Sequence, residues 1–318
     1  MKTSIPDISK QIYKEDVFNV LENKYSLLGP IWVSHQMEWS NGVYACFKDH
    51  DKFLIVIFLI KKTLDFYSRN FIKLTYEEFY SEEKVEIEVF SIMEISIALN
   101  IPKESARRKV VELEKAGVIR RFKKKIIIDR SKFYYTKPVN SIIRVSRFLS
   151  TFSDMCANEN FLQKKFTSEE LEIVIKNNFS YVWKLYYELQ IPMMISYKKF
   201  FKDLETFHIF GTCTVNQHLY AKTTSKDYMK RDTFLEKIYS SKKMQGLNAM
   251  SISDITGIPR ATVIRKLRQL VKKKNLIIDV KKHYRLSGNF VKLLKPLQND
   301  ILIKLSDFST KIYNLAKN

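Results

Sequence analysis

Two clusters of basic residues hold the side chains of this 318-residue chain best suited to act on another molecule. In the first, Lys103, Glu104, Ser105, Arg107 and Arg108 fall close together, and Lys123, Lys124 and Lys125 follow. In the second, Arg260, Thr262, Arg265 and Arg268 are followed by Lys281, Lys282 and His283. The chemistry such residues do is non-covalent. Lysine and arginine neutralise phosphates, an arginine fork meets both acceptors of a guanine edge, hydroxyls bond bases or phosphates, and a glutamate can accept from cytosine. Glu104 has that last option and Ala261, at the matching position, does not, so the two clusters are expected to prefer different sites. One such cluster alone would suit a solvated helix face equally well.

Covalent chemistry is not signalled. The chain has no P-loop, no GxSxG and no HExxH, and His35, His208 and His283 lack partners at catalytic spacing. Cys46 with His50 and Cys213 with His218 invite a shared Cys2His2 metal site, but the two spacings differ, and buried cysteine commonly packs as a small hydrophobe. No enzyme activity, metal or cofactor is therefore expected. The aromatic residues between Tyr181 and Phe201 could line a ligand pocket, although core packing accounts for them more simply.

Ordered elements must hold the basic clusters in place. Ser91 with Glu94 forms a capping box that starts a helix carrying Ile92, Ile95, Ala98 and Leu99 on one side, with small Ser96 where a second helix approaches. Asn100 suits the left-handed turn, and Pro102 the first position of the next helix. There Ala106, Val110 and Leu113 form the core-facing stripe, with Glu104, Arg108 and Lys115 opposite and Lys103, Ser105 and Arg107 flanking. Gly117 closes that helix, and Val118 to Phe122 and Ile126 to Asp129 read as strands around the three lysines.

From Asn248 to Leu286 the pattern returns. Met93, Ile95, Ser96, Ile101, Pro102, Arg108, Lys109 and Leu113 recur as Met250, Ile252, Ser253, Ile258, Pro259, Arg265, Lys266 and Leu270. Asn248 replaces Ser91 as cap and Gly257 replaces Asn100. Asn275 is expected to stand for Gly117 after one inserted lysine, with a second hairpin from Leu276 to Val280 and Tyr284 to Leu286. The likeness extends outward. Phe47, Lys48, Asp49 and Phe53 match Phe201, Lys202, Asp203 and Phe207, while Glu15, Val20, Asn23 and Ser26 match Glu169, Val174, Asn177 and Ser180. Lys137 and Pro138 match Lys295 and Pro296, and Leu149, Ser150, Phe152 and Ser153 match Leu305, Ser306, Phe308 and Ser309. One register held along the whole chain implies two homologous halves, 1–160 and 161–318, with the basic heads at about 84–133 and 240–290.

Composition bounds the partner. A net charge of +21 and a pI near 9.6 suit a polyanion, although membrane surfaces and acidic proteins would satisfy the same charge and an AT-rich genome would supply part of it. The 7 Gly and 7 Pro disfavour long flexible linkers and favour a mainly helical chain. Three scattered cysteines are no disulfide framework, which makes a reducing cytoplasm the default, and the N-terminus lacks the apolar core of a signal peptide. Phe53 to Ile60 is the strongest apolar run, yet Lys61 and Lys62 cut it far short of the roughly 20 residues a membrane span needs.

Along the rest of the chain, Lys14 to Tyr25 reads as a helix that Gly29 and Pro30 end, Ile31 to Ala45 is undecided, and Asp51 to Arg69 is helical. Thr75 to Glu83 reads as a helix, Val85 to Phe90 as a short strand and Ser141 to Phe152 as a helix, with the boundary between halves at Asn158 to Thr167. Glu169 to Ile175 opens the second half, His208 to Tyr220 is undecided, Thr223 to Met244 is strongly basic, and Asp300 to Leu315 closes the chain as a helix.

The run I-P-x-x-[ST]-[AV]-x-R-K-x-x-x-L at Ile101 to Leu113 and Ile258 to Leu270, followed each time by a basic hairpin, resembles bacterial winged helix-turn-helix regulators, most closely the reading heads of the MarR and Crp types. The resemblance covers about forty residues per half. It implies a mainly α fold with short β-hairpin wings. MarR-like proteins join two subunits into a dimer through their remaining helices; this chain departs from them in carrying both units, so that the tandem duplication read from the repeat makes a pseudo-twofold dimer from a single chain. The implied function is a cytoplasmic regulator of transcription that reads double-stranded DNA through two recognition helices about one helical turn, roughly 34 Å, apart. Arg108 and Arg265 would contact groove or phosphate, with Lys103, Ser105, Arg260 and Thr262 near the helix starts and the wing lysines on the backbone. Two other readings stay open: a plasmid-type replication initiator with two winged helices, and a winged-helix scaffold that binds protein. A small-molecule effector and further pairing into a homodimer are open as well.

Overall fold

The computed structural model describes residues 11–122, 125–133, 137–223, 228–240 and 245–317. The chain is mainly helical with two small antiparallel sheets. Helix α1 (Lys14–Asn23) is followed by two long helices, α2 (Tyr25–Phe47) and α3 (His50–Arg69). Gly29 and Pro30 do not end the first helix as expected; a break at Lys24 does, and both residues lie inside α2. Pro30 gives up one backbone bond near the start of α2, and burial of Leu28, Trp32, Trp39 and Val43 along the helix outweighs that loss. Gly29 is needed there, because a Cβ would come within 2.6 Å of the Tyr25 ring. The undecided stretch Ile31 to Ala45 is thus helical.

The helix expected over Thr75 to Glu83 is a single turn, α4 (Tyr76–Phe79), capped by Thr75 and Glu78 in a capping box. Its continuation is pre-empted by Arg130, whose Nη2 donates to the Phe79 carbonyl at 2.7 Å and also to that of Glu82. Strand β1 (Lys84–Ile87) leads to α5 (Ile92–Leu99) and α6 (Lys103–Lys115), then to β2 (Ile119–Phe122) and β3 (Lys125–Asp129), which form a sheet in the order β1, β3, β2. Lys125 belongs to β3 instead of the hairpin tip, and Lys123 and Lys124 lie outside the described residues. Helix α7 (Val139–Asn158) completes this half.

In the second half α8 (Ser168–Asn177), α9 (Phe179–Phe201) and α10 (Leu204–Thr223) have 10, 23 and 20 residues, the lengths of α1, α2 and α3 in the same order. The undecided His208 to Tyr220 is therefore within α10. Helix α11 (Arg231–Ser240) occupies part of the basic stretch, whose residues 224–227 and 241–244 lie outside the described residues. Helices α12 (Ala249–Thr256) and α13 (Arg260–Lys272) repeat the 8 and 13 residues of α5 and α6. Strands β4 (Leu276–Ile278) and β5 (Tyr284–Leu286) pair, Leu247 bridges to Tyr284 where β1 sits in the first sheet, and α14 (Gly288–Lys317) ends the chain.

The helices of the two halves interleave. α2 packs on α10 and α3 on α9, while α1 packs on α14 and α8 on α7. The hydrogen bonds follow the same exchange. Ser26 N–H donates to the Met229 carbonyl at 3.1 Å and Met229 N–H to Ser26 Oγ at 2.8 Å. Ser180 N–H donates to the Leu74 carbonyl at 3.0 Å and Leu74 N–H to Ser180 Oγ at 2.9 Å. Most aromatic residues of α9 are core, with Tyr181 exposed and Tyr197 and Phe200 half-buried: Phe179 and Trp183 stack with centroids 5.2 Å apart, and Tyr76, Phe79 and Tyr80 of the other half close on Phe179. No helix among the described residues is long and apolar enough to cross a membrane.

Candidate nucleic-acid interface

Each basic head is built from the same local bonds. Ser91 accepts from Glu94 N–H at 3.0 Å and Asn248 Oδ1 from Ser251 N–H at 2.9 Å, which satisfies orphan amides at the two helix starts. Asn100 (φ 51°) and Gly257 (φ 68°) take the left-handed turn that ends α5 and α12. Ser96 and Ser253 are more than small: each hydroxyl donates at 2.7 Å to the carbonyl of Ile101 or Ile258, five residues on, and so locks the turn. Pro102 and Pro259 sit one position before the first helical residue and not within it. At the far end Gly117 has φ 74°, and in the second head the left-handed residue is Lys274 (φ 58°), not Asn275. Lys274 is 157 residues after Gly117, so no lysine is inserted. Buried Asn275 instead matches Val118, both donating N–H to the carbonyl of the helix leucine five residues back, Leu270 or Leu113, at 2.9 and 3.0 Å.

What aims the two helices is a pair of contacts whose role the sequence reading missed. Lys109 of α6 bonds Asp49, and Lys266 of α13 bonds Asp203. The two aspartates are the residues just before α3 and α10, each preceded by a lysine in the left-handed conformation, Lys48 or Lys202. Asp49 also accepts from Asp51 N–H at 2.9 Å, and Asp203 from Thr206 N–H at 2.8 Å. Burial pushes both carboxyls up, but the lysine and backbone bonds outweigh it and hold each below the usual carboxylate range. The recurrence of Phe-Lys-Asp and of Arg-Lys at nearly constant offset was the available signal, because both partners of each bond lie in the matching pairs.

With Lys109 and Lys266 held inward, the neighbouring side chains face out. Lys103, Glu104, Arg107 and Arg108 are exposed on α6, as are Arg260, Arg265 and Arg268 on α13, while Ser105 and Thr262 are half-buried. The heads differ in how their cations are partnered. In the first, Arg107 bonds Glu104 at 2.8 Å, Arg121 bonds Glu114 at 2.8 Å, Lys125 bonds Glu86 at 2.8 Å and Arg108 lies 3.8 Å from Glu112. In the second, Arg260, Arg265, Arg268, Lys281 and Lys282 have no carboxylate at ion-pair distance among the described residues. Asp279 shapes the second hairpin's tip by accepting from the N–H groups of Lys281 and His283, both at 2.9 Å. Lys281 and Lys282 are thereby presented to solvent, whereas the His283 ring is mostly covered.

Comparison with family models, curated proteins and solved structures finds no match. An open groove of about 790 Å³ runs beside α13, floored by Met250, Ile264 and Val271 and rimmed by Arg260, Arg268 and Lys282. Arg107 and Glu114 occupy the positions of Ile264 and Val271 in the first head, so the apolar floor is particular to the second. The metal site weighed from Cys46, His50, Cys213 and His218 does not assemble: His50 Nε2 lies 3.3 Å from His208 Nδ1, and no group of three His, Cys, Asp or Glu residues suited to a metal occurs among the described residues.

Proposed function

We propose that the chain is a sequence-specific, double-stranded DNA-binding regulator of transcription. Its heads are two winged helix-turn-helix units that arose by tandem duplication and are related by a pseudo-twofold axis. The observation that carries this reading is the pair of exposed cationic helices, α6 and α13, each fixed to the helical body by the same lysine-to-cap-aspartate bond. Rigid support behind an exposed basic face is what a groove-reading helix requires, because base contacts demand a fixed register. The exchanged bonds of Ser26 and Ser180 support the twofold relation.

Fluorescence anisotropy with a duplex selected from a random library and with a random duplex, at several salt concentrations, tests it. Arg265→Ala should cost about 1 to 3 kcal/mol on the selected duplex and much less on the random one, while Lys282→Ala weakens both alike and reduces the salt slope by about one. Equal losses on both duplexes for Arg265→Ala would remove its reading role. Binding that is weak and indifferent to salt would favour a protein-binding scaffold, for which the apolar-floored groove beside α13 is the relevant surface.

A further inference from the structure

The second head rests on a small, partly open cavity of about 50 Å³. Its walls come from both halves: Trp32, Gln36 and Met37 of α2, Gly211 and His218 of α10, Leu286 of β5 and Gln298 of α14. No lysine, arginine, aspartate or glutamate lines it. Trp32, Gln36 and His218 are only 4%, 4% and 2% exposed. Yet Trp32 Nε1, both ends of the Gln36 amide, both ring nitrogens of His218 and Gln298 Oε1 have no hydrogen-bond partner among the described residues. Buried polar atoms are nearly always paired, so an unpaired group of this kind gathered around one cavity calls for an explanation. His218 is held neutral by burial, with its pKa lowered to about 4, and so offers one donor and one acceptor. Trp32 adds a donor, and Gln36 adds both kinds.

We propose that this cavity binds a small uncharged molecule that both donates and accepts hydrogen bonds, of the amide class, with about as many heavy atoms as the three or four waters the space would hold. Charged ligands are disfavoured because no countercharge lines the site. The position gives such a molecule a consequence. Leu286, whose N–H donates to Gln217 of α10, is the last residue of β5, so an occupant touches the second wing on one side and α2 of the other half on the opposite side. Filling the cavity therefore biases how the second head sits on the body, a small-molecule control of DNA binding that rests on the function proposed above.

Acetamide titrated into the full-length protein, with the indole N–H resonances of Trp32, Trp39 and Trp183 followed by NMR, separates the two claims. Saturable movement of the Trp32 signal with the other two still, weakened at least tenfold by Gln36→Leu, is the expected result. Gly211→Ala provides a second variant. A methyl there runs into the Met37 thioether, which must turn aside and crowd the cavity, and acetamide binding should weaken as well. Linear, equal movement of all three indoles, or binding unchanged in both variants, would mean that the space holds water only and would overturn the site. If acetamide binds as expected while affinity for the selected duplex stays the same, the site stands and its control of DNA binding fails. If the protein binds no duplex at all, the site stands and the DNA reading fails.

Discussion

Neutralising Asp203 should destabilise the protein more than removing the lysine it holds. The Lys266 side chain is 7% exposed and that of Asp203 36%, so water reaches one partner and hardly the other. Asp203→Asn leaves the ammonium buried with no countercharge. Breaking a fully buried pair costs about 3 to 5 kcal/mol, and the partial exposure of Asp203 brings the expectation down to about 2 kcal/mol. Lys266→Met keeps the packed stem and leaves a carboxylate that still accepts from Thr206 N–H and Oγ1 at 2.8 and 2.7 Å and can be hydrated; the loss should stay below about 1 kcal/mol. The double variant should resemble Lys266→Met alone, which reports the coupling directly. On the first head Asp49→Asn should cost less than Asp203→Asn, because Lys109 has a second carboxylate, Asp51, 3.9 Å away. Urea unfolding at pH 7, followed by far-UV circular dichroism, reads all of these as shifts of midpoint at constant slope. Equal losses for Asp203→Asn and Lys266→Met, or a larger loss for the lysine variant, would refute the claim that a buried countercharge holds α13.

The remaining expectations concern charge, pH and the exchange between halves. Removing the carboxylates that partner the first head, as in Glu104→Gln with Glu112→Gln, frees Arg107 and Arg108 and should tighten binding to random duplex with a steeper salt slope; an unchanged slope in the anisotropy titration counts against the unequal heads. Burial lowers the pKa of His35 to about 3 and of His50 and His218 to about 4, and that of His208 well below its usual value, so the fold requires their neutral forms. Their contribution is complete above the unfolded value near 6.5 and is lost as pH falls toward 4, by at most on the order of 3 kcal/mol for His50; thermal midpoints from pH 7.5 to 4 should fall accordingly, and a flat profile would contradict it. Ser26→Ala and Ser180→Ala each remove one acceptor that crosses between halves and should cost about 1 kcal/mol apiece, additively, in urea unfolding.

Much of each head was legible because its determinants are local. Ser91 with Glu94 and Asn248 mark helix starts through bonds spanning three residues, and Asn100 and Gly257 mark ends through a conformation few residues adopt. Where tertiary packing overrides a local preference, the sequence misleads. Pro30 lies inside a helix because Leu28, Trp32 and Val43 are buried along it, and the helix after Thr75 stops where Arg130, some fifty residues later, takes the Phe79 and Glu82 carbonyls. Lys274 occupies a left-handed position that Asn275 would fill at lower cost, because the offset fixed by Leu270 and Leu276 in the core leaves no room for a shift. Lys109 and Lys266 were visible as repeated residues but not as anchors, since their aspartates are about sixty positions away.

Residues at matching positions divide by what they touch. Those that bond inward are the same in both heads: Ser96 and Ser253, Lys109 and Lys266, Asp49 and Asp203. Outward-facing positions are freer: Arg108 is kept as Arg265, but Glu104 stands against Ala261, Arg107 against Ile264 and Glu114 against Val271. Between them lie positions such as Asp51, which bonds Lys198 of the opposite half at 2.8 Å, where the reciprocal pair is Glu205 and Tyr44. In a dimer of identical chains every surface change is made twice, so two heads cannot part in charge. Joining both in one chain removes that restriction while the packing geometry continues to constrain the anchors. A chain of this kind can keep one head whose cations are partnered by its own carboxylates and another whose cations await a partner, and under the function proposed above an asymmetric DNA site is the target such an arrangement fits.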